Sequence, residues 1–277
     1  MKEVVSTPYQ KILTVQDISC VGQCSLTVAL PILSACGLET AILPSAVLST
    51  HTAGFSGYTF RDLTEDIPAI RAHWEKEKIR FAAVYTGYLG STEQIAYVKD
   101  IFRSPVTAGL KIVDPAMADG GKLYPAFDEA FVKEMVGLCA EADIVVPNIT
   151  EACFLAGKEY REVYDEAYIL DLFDGLAQKG MKTVVLTGVG YRPGKTGVAV
   201  CENGKYSYYE HERKSNGCHG TGDVYASAFV GKLMQGKSLY EAAVAAADFT
   251  VRCIELTAGD PEHWYGVKFE LALPELF

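Results

Sequence analysis

The sequence predicts a three-layer α/β/α fold, with a mostly parallel central sheet and helices on both faces. Two observations carry that prediction. Short, almost continuously apolar segments alternate with longer helical segments along nearly the whole chain, as strands buried on both faces do. Polar residues and glycines recur directly after those strands, where an open parallel sheet collects its ligands. No Ser/Pro-rich linker and no charge block interrupts the pattern, so a single domain spanning residues 1–277 is expected.

Residues 11–15 form the first strand, which closes at Gln16, Asp17, Ile18 and Ser19. Gly22 precedes a helix over 24–36 that Gly37 closes and Pro31 should kink. A second strand covers 39–43. Residues 49–57 are too polar for the core and too long for a minimal turn. An amphipathic helix covers 66–78. The strand 81–86 ends in Gly87-Tyr88-Leu89-Gly90, and Ser91 with Gln94 reads as a capping box opening a helix that ends near residue 102. The unit then recurs. Strand 111–113 leads to Asp114-Pro115 and helix 128–139. Strand 144–146 leads to Pro147-Asn148 and a helix beginning near Glu151. Helix 165–179 is closed by Gly180, and strand 183–186 leads to Thr187-Gly188. A hairpin of strands 198–201 and 206–210 turns at Asn203-Gly204, a type I′ signal. Helices over 224–235 and 239–256 finish the chain.

Composition narrows the partners. The formal charge of −10 argues against non-specific nucleic-acid binding and against an anionic membrane surface, while leaving local anion sites open. The eight cysteines contain no Cys-x-x-Cys and suit a reducing cytoplasm. Cys20 and Cys24 lack the second pair or nearby His that a zinc site needs. The first residues show no signal-peptide pattern, and no apolar run of about 18 residues reads as a membrane span.

The stretch from Ser215 to Asp223 carries the strongest chemical signal. Gly217, Gly220 and Gly222 leave backbone N–H groups unshielded just before a small-residue, apolar helix. Such a turn on a helix N-terminus binds anions, because free N–H groups and the helix dipole both point at the ligand. Asp223 would stand beside a bound phosphate, placed to take a proton from an attacking hydroxyl. The plainer alternative is a helix cap next to a tight turn. The other strand ends favour the first reading, since Asp17, Tyr88, Asp114, Asn148, Glu151, Thr187 and Gly188 all fall on the same sheet edge. Carboxylates beside an anion site repel unless a divalent cation lies between them, and Mg²⁺ suits oxygen ligands. The chemistry indicated is phosphoryl transfer from a nucleotide. No Gly-x-x-x-x-Gly-Lys-Ser/Thr is present, so this is not a P-loop enzyme. No Gly-x-Gly-x-x-Gly follows the first strand, which argues against a dinucleotide-binding dehydrogenase.

These residues resemble the ribokinase-like superfamily and, within it, the pyridoxal (vitamin B6) kinases. The matching pieces are Val15-Gln16 with Gly22, Ser49-Thr50-His51-Thr52, Gly87-Tyr88-Leu89-Gly90-Ser91, Asp114-Pro115-x-Met117, Pro147-Asn148-x-x-Glu151 and Gly220-x-Gly222-Asp223, in that order over residues 11–236. The resemblance implies a ribokinase-like fold and ATP- and Mg²⁺-dependent phosphorylation of the 5′-hydroxymethyl group of pyridoxal, pyridoxamine or pyridoxine, in pyridoxal phosphate salvage. Asp223 would be the base, with Gly220, Thr221 and Gly222 holding the transferring phosphoryl oxygens. Asp114 and Glu151, with Asn148, would position Mg²⁺, partly through water. Thr187 and Gly188, again with Asn148, would contact the nucleotide. Asp17, His51 and Tyr88 would hold the pyridine ring. Related kinases are often dimers, which implies a homodimer, with the 203 hairpin or the 55–63 segment as pairing surfaces. A K⁺ requirement stays open.

Two residues depart from the family pattern. Pyridoxal kinases typically carry Ser where this chain has Asp17. A carboxylate there accepts a hydrogen bond from a phenol or a protonated ring nitrogen but repels a phenolate. The related hydroxymethylpyrimidine kinases carry His-Gly-Thr-Gly-Cys where this chain has His219-Gly220-Thr221-Gly222-Asp223. A hydroxymethylpyrimidine or other small-alcohol kinase therefore stays as the alternative enzyme, and a non-catalytic B6-vitamer binding protein as the alternative of another class. Cys218 beside the anion site could add reversibly to an aldehyde, against the plainer reading of a buried thiol. Lys122 and Tyr124, after Gly120-Gly121, suggest a flap over the nucleotide.

Overall fold

The structure, a computed structural model, describes residues 9–214 and 219–277. Its centre is a nine-stranded sheet. In chain order the elements are β1 (Lys11–Ser19), α1 (Leu26–Ala35), β2 (Glu39–Leu48), β3 (Phe60–Asp62), α2 (Asp66–Lys76), β4 (Phe81–Thr86), α3 (Thr92–Arg103), β5 (Thr107–Val113), β6 (Ala118–Asp119), β7 (Lys122–Leu123), α4 (Glu129–Cys139), β8 (Ile144–Val145), α5 (Ile149–Ala156), α6 (Glu166–Gln178), β9 (Thr183–Thr187), β10 (Lys195–Glu202), β11 (Lys205–Glu212), α7 (Thr221–Met234) and α8 (Leu239–Thr257). The strands lie in the order β11-β10-β9-β8-β5-β4-β1-β2-β3. The six from β9 to β2 run parallel, while β3 at one edge and the β10–β11 hairpin at the other are antiparallel. None of the described helices is long and apolar enough to cross a membrane.

Alternation along the strands divides the core into two layers. Leu13, Val15, Val84, Val113, Val184 and Leu186 pack on one face with α3, α4, α5 and α6. Ile12, Tyr85, Ile112, Val185 and Val198 point the other way, onto α1, α7 and α8. A period of two in strands buried on both faces produces this division. Side-chain caps start several of the helices. Asp128, Asp165 and Ser238 each accept an N–H from the first turn of α4, α6 and α8.

Several boundaries differ from the sequence reading. β1 runs on through Asp17 to Ser19, and β2 continues past Pro44 to Leu48. The pairing register slips by one between Gln16 and Ile18, with the extra residue on β2 after Pro44, which has no N–H to give a regular ladder. Only half of the Ser91 capping box forms. Ser91 Oγ accepts the Gln94 N–H at 3.2 Å, but Gln94 Oε1 reaches one residue further back, to the Gly90 N–H at 2.7 Å. The edge strand β3 and the β6–β7 ribbon were not legible, being three and two residues long.

β5 starts four residues earlier than expected because Gly109 hides its first half. The β4–β5 register shifts between Phe81 and Ala83, where a Cβ on Gly109 would lie 2.0 Å from the Ala82 carbonyl oxygen. Gly109→Ala is expected to cost about 2 kcal/mol by pushing two central strands apart, measured as a lower denaturant midpoint at unchanged slope.

The strand order reverses at β1, whose neighbours are β2 on one side and β4 on the other. In open α/β sheets the crevice beyond the carboxyl ends at such a point is the ligand site. Here it lies between Asp17 and Gly87.

Candidate functional site

The N-terminus of α7 stands over that crevice. Gly220 is its N-cap, at φ 75° in the left-handed region, and Thr221, Gly222 and Asp223 form its first turn. The helix thus begins three residues earlier than the sequence suggested, and the glycine turn is partly helical. An α-helix offers no intrahelical acceptor to its first-turn N–H groups, so they point out of its end. Gly220 fits for a second reason: a Cβ on it would lie 1.8 Å from the Gln23 carbonyl oxygen. The 22–25 loop and the anion turn are therefore in direct contact. Gly217 and Cys218 lie outside the described residues.

Asp223 is half-buried under this turn. Burial pushes its carboxyl up to about 7, and the Asp17 charge adds to the shift. A hydrogen bond from the backbone of Ser25 works in the opposite direction. Ser25 is a non-glycine residue at φ 57°, and as the N-cap of α1 it makes no side-chain cap bond. Its hydroxyl turns instead to Asp17. One strained residue thus faces both carboxyls.

The three residues expected to hold a ring lie together. Asp17 is 5% exposed, and its Oδ2 accepts the Ser19 hydroxyl at 3.0 Å. Burial raises its carboxyl above the ordinary range, against the hydrogen bonds from Ser25 and Ser19 and the nearby His51. Tyr88 is half-buried against Phe127, and burial followed by the Asp17 charge pushes its phenol up to about 12. His51 is buried and uses both ring nitrogens. Nε2 meets the Tyr265 carbonyl oxygen at 2.7 Å, and Nδ1 accepts the Ala53 N–H at 3.2 Å. That pairing assigns the neutral tautomer with hydrogen on Nε2, in keeping with a pKa that burial lowers. The nitrogens of His51 tie the 51–55 loop to the C-terminal segment, and its Cδ2 edge packs against Gly22.

Asp114 and Glu151 face the other side of the crevice. Asp114 is buried, its Oδ1 accepts the Ala116 N–H at 3.1 Å, and burial with the Glu151 and Asp223 charges raises its carboxyl well above the usual range. Glu151 is 2% exposed. Its Oε2 accepts the Asn148 N–H at 2.8 Å and its Oε1 the Met117 N–H at 2.9 Å. Burial still pushes it up to about 7. Asn148 returns the bond through Oδ1 to the Glu151 N–H at 2.9 Å, so the Asn-x-x-Glu spacing is a complete capping box on α5. Asn148 Nδ2 also donates to the Ala118 carbonyl at 2.8 Å, fixing the β6–β7 ribbon to α5. That ribbon turns at Gly120-Gly121, where the Gly121 N–H donates to Thr150 Oγ1 at 3.0 Å. Thr187 bridges to Asn148 at the end of β9, followed by Gly188 at φ 76°.

Sequence reasoning missed the C-terminal segment. Gln23 Oε1 meets His263 Nε2 at 3.0 Å, and Gln23 Nε2 donates to Glu270 Oε1 at 2.6 Å. The Trp264 ring lies 4.7 Å from Phe55 and packs where a Cβ on Gly54 would sit. These residues join the C-terminal segment to the 22–25 and 51–55 loops, and no local motif announces them. The positive φ of Ser25 was equally invisible.

Known proteins resemble the chain over most of its length. A family model described as phosphomethylpyrimidine kinase matches residues 35–267. A crystal structure from Bacteroides thetaiotaomicron VPI-5482, provisionally named a phosphomethylpyrimidine kinase and solved with pyridoxal, is 37% identical, covers 97% of this chain and 96% of its own, and superposes with a TM-score of 0.90. A pyridoxine/pyridoxal/pyridoxamine kinase from Bordetella avium is 26% identical over 89% of this chain and 85% of its own. A hydroxymethylpyrimidine/phosphomethylpyrimidine kinase from Bacillus subtilis is 27% identical over 78% of each. The chain belongs to the phosphomethylpyrimidine kinase family, as a kinase of the pyridoxal and phosphomethylpyrimidine type on the ribokinase-like fold.

Proposed function

We propose that this kinase transfers the γ-phosphoryl group of ATP to the 5′-hydroxymethyl group of a B6 vitamer. The observation that carries the reading is the placement of Asp223. It sits in the first turn of α7, beside the Gly220 turn and within electrostatic reach of Asp17 on the ring side. The pyridoxal in the Bacteroides thetaiotaomicron crystal supports the ring class.

Each residue then has a task. Asp223, deprotonated, accepts the proton of the hydroxymethyl group as its oxygen attacks. The N–H groups of Gly220, Thr221 and Gly222 hold the transferring oxygens, where charge develops. Asp17, Tyr88 and His51 hold the ring. Thr187, Gly188 and Asn148 face the nucleotide. Asp114 and Glu151 would hold Mg²⁺ as two neighbouring buried oxygen donors on one side of the crevice, where a divalent cation would offset the repulsion of the Glu151 charge on Asp114. Among the described residues no cluster of three His, Cys, Asp or Glu could hold a metal alone, so phosphate oxygens and water would complete its shell. The ion would neutralise phosphate charge there. We place this activity in the cytoplasm and in a homodimer. The exposed β3 edge, with Phe60 55% exposed, suits pairing, and light scattering of the purified chain tests it.

A second reading, phosphorylation of a hydroxymethylpyrimidine, is favoured by the acidic Asp17 and by the Bacillus subtilis relative. A buried carboxyl accepts hydrogen bonds from a ring N–H or an exocyclic amine more readily than it tolerates a phenolate. The test is kcat/KM with Mg-ATP for pyridoxal, pyridoxamine, pyridoxine and hydroxymethylpyrimidine. Asp17→Ser is expected to raise the pyridoxal-to-pyrimidine ratio by about tenfold, the size of one hydrogen bond to a charged group. A wild-type enzyme that turns over the pyrimidine alone would replace the first reading by the second.

A further inference from the structure

Residues 22–25, between β1 and α1, touch four parts of the candidate site. The Gln23 carbonyl oxygen lies under Gly220, and Gly22 packs on the His51 ring. The Ser25 backbone bonds to Asp223, and the Ser25 hydroxyl to Asp17. Gly22 at φ 107° and Ser25 at φ 57° are both in the positive region, so local backbone preference does not hold this shape. Contacts must. Thr27 Oγ1 lies 2.8 Å from the Cys24 carbonyl oxygen, which ties the loop to α1. On the other side the Gln23 side chain is spent entirely on the C-terminal segment. Its Oε1 accepts from His263 Nε2 at 3.0 Å, and its Nε2 donates to Glu270 Oε1 at 2.6 Å. Gly266 permits the close approach, since a Cβ there would lie 2.6 Å from Gln23 Cβ.

That segment is itself anchored. Val267 and Phe269 are buried in the core layer of α1, α7 and α8. The Lys268 N–H donates to Thr257 Oγ1 at 2.8 Å, and Lys268 Nζ to Asp260 Oδ2 at 2.6 Å. A side-chain amide offers a donor and an acceptor in one plane, which a histidine N–H on one side and a carboxylate on the other require. We propose that Gln23 is a positioning residue: by clamping residues 22–25 to the C-terminal segment, it sets the Gly220 turn and Asp223 in the geometry that phosphoryl transfer needs. The catalytic consequence rests on the reading of that turn and of Asp223 given above. The clamp itself does not.

Two measurements on the full chain test the proposal, at a temperature where melting curves show every variant folded. The first is turnover with Mg-ATP and the better substrate of pyridoxal and hydroxymethylpyrimidine. Gln23→Ala and Gln23→Glu are each expected to lower kcat about tenfold, with both KM values within about threefold, because a small misplacement costs turnover before it costs binding. Gln23→Glu sets a carboxylate against Glu270. Adding Glu270→Gln rebuilds both bonds with donor and acceptor reversed and is expected to restore kcat to within about twofold. The second is hydrogen exchange at the Val224 amide, which donates to the Gly220 carbonyl at 3.0 Å. It is expected to quicken about tenfold in Gln23→Ala, while the Val132 amide of α4 keeps its wild-type rate. Wild-type exchange at Val224, or a reversed pair that fails to restore kcat, overturns the proposal. Faster exchange with wild-type kcat in Gln23→Ala upholds the clamp and overturns the reading of the Gly220 turn as the phosphoryl site.

Discussion

Asp223→Asn is expected to lower kcat by about 10²–10⁴-fold, the contribution of a well-placed general base, while substrate KM changes by less than about threefold. The amide keeps the shape and the hydrogen bond to the Ser25 backbone is weakened rather than removed. What it cannot do is take the proton. The wild-type pH profile carries the same signature. Burial, then the Asp17 charge, holds the Asp223 carboxyl at about 7, so the competent deprotonated form accumulates as pH rises through that value and turnover rises with it. The residual activity of Asp223→Asn should lack that rise. Folding stability has the opposite sign. Between the ordinary value of 3.8 and about 7 the folded chain keeps a proton that the unfolded chain has lost, so this group's contribution to stability falls as pH rises through that window. The variant should lose that part of the pH dependence. A carrier protein would bind ligand equally well with either residue and show no catalytic rise to lose.

Gly220→Ala is expected to lower kcat/KM by about 10²–10³-fold, comparable to removing an oxyanion-hole donor. Two separate faults combine. A residue with a Cβ at φ 75° carries about 1–2 kcal/mol of strain. The Cβ also meets the Gln23 carbonyl oxygen at 1.8 Å, so the 22–25 loop or the first turn of α7 must move. Either movement would re-aim the N–H groups proposed to hold the phosphoryl oxygens and shift Asp223, three residues past the Gly220 cap. Gly222→Ala is the contrast for stability, because a Cβ there meets nothing within 4 Å. Thermal melting is expected to fall by several degrees for Gly220→Ala and to stay at the wild-type value for Gly222→Ala.

The fold was legible because its signal is repetitive. Strands buried on both faces read as short apolar runs, helices between them read by spacing, and each strand end carried a polar residue or a glycine. Asp17, Asp114, Asn148, Thr187 and the Gly220–Asp223 turn could be assigned to one edge from that rule alone. What could not be read depends on contacts between distant segments. Gln23 meets His263, His51 meets Tyr265, and Tyr85 meets Ser227 only after the sheet has assembled. Pro44 and Gly109 ended strand assignments early, although both sit at register shifts inside strands. The Asn148–Glu151 spacing had a local meaning that the sequence reading passed over: Glu151 is first a helix-capping residue, with both oxygens accepting backbone N–H groups. Any metal role must use the lone pairs that remain.

The most direct test is product identity. The purified chain is incubated with Mg-ATP and each candidate alcohol, and the phosphorylated product is located by phosphorus–proton coupling. The account predicts a phosphate ester on the 5′-hydroxymethyl carbon of a B6 vitamer, formed by the wild type and lost in Asp223→Asn. Phosphate appearing only on the pyrimidine would contradict the substrate, and turnover that survives in Asp223→Asn would contradict the base.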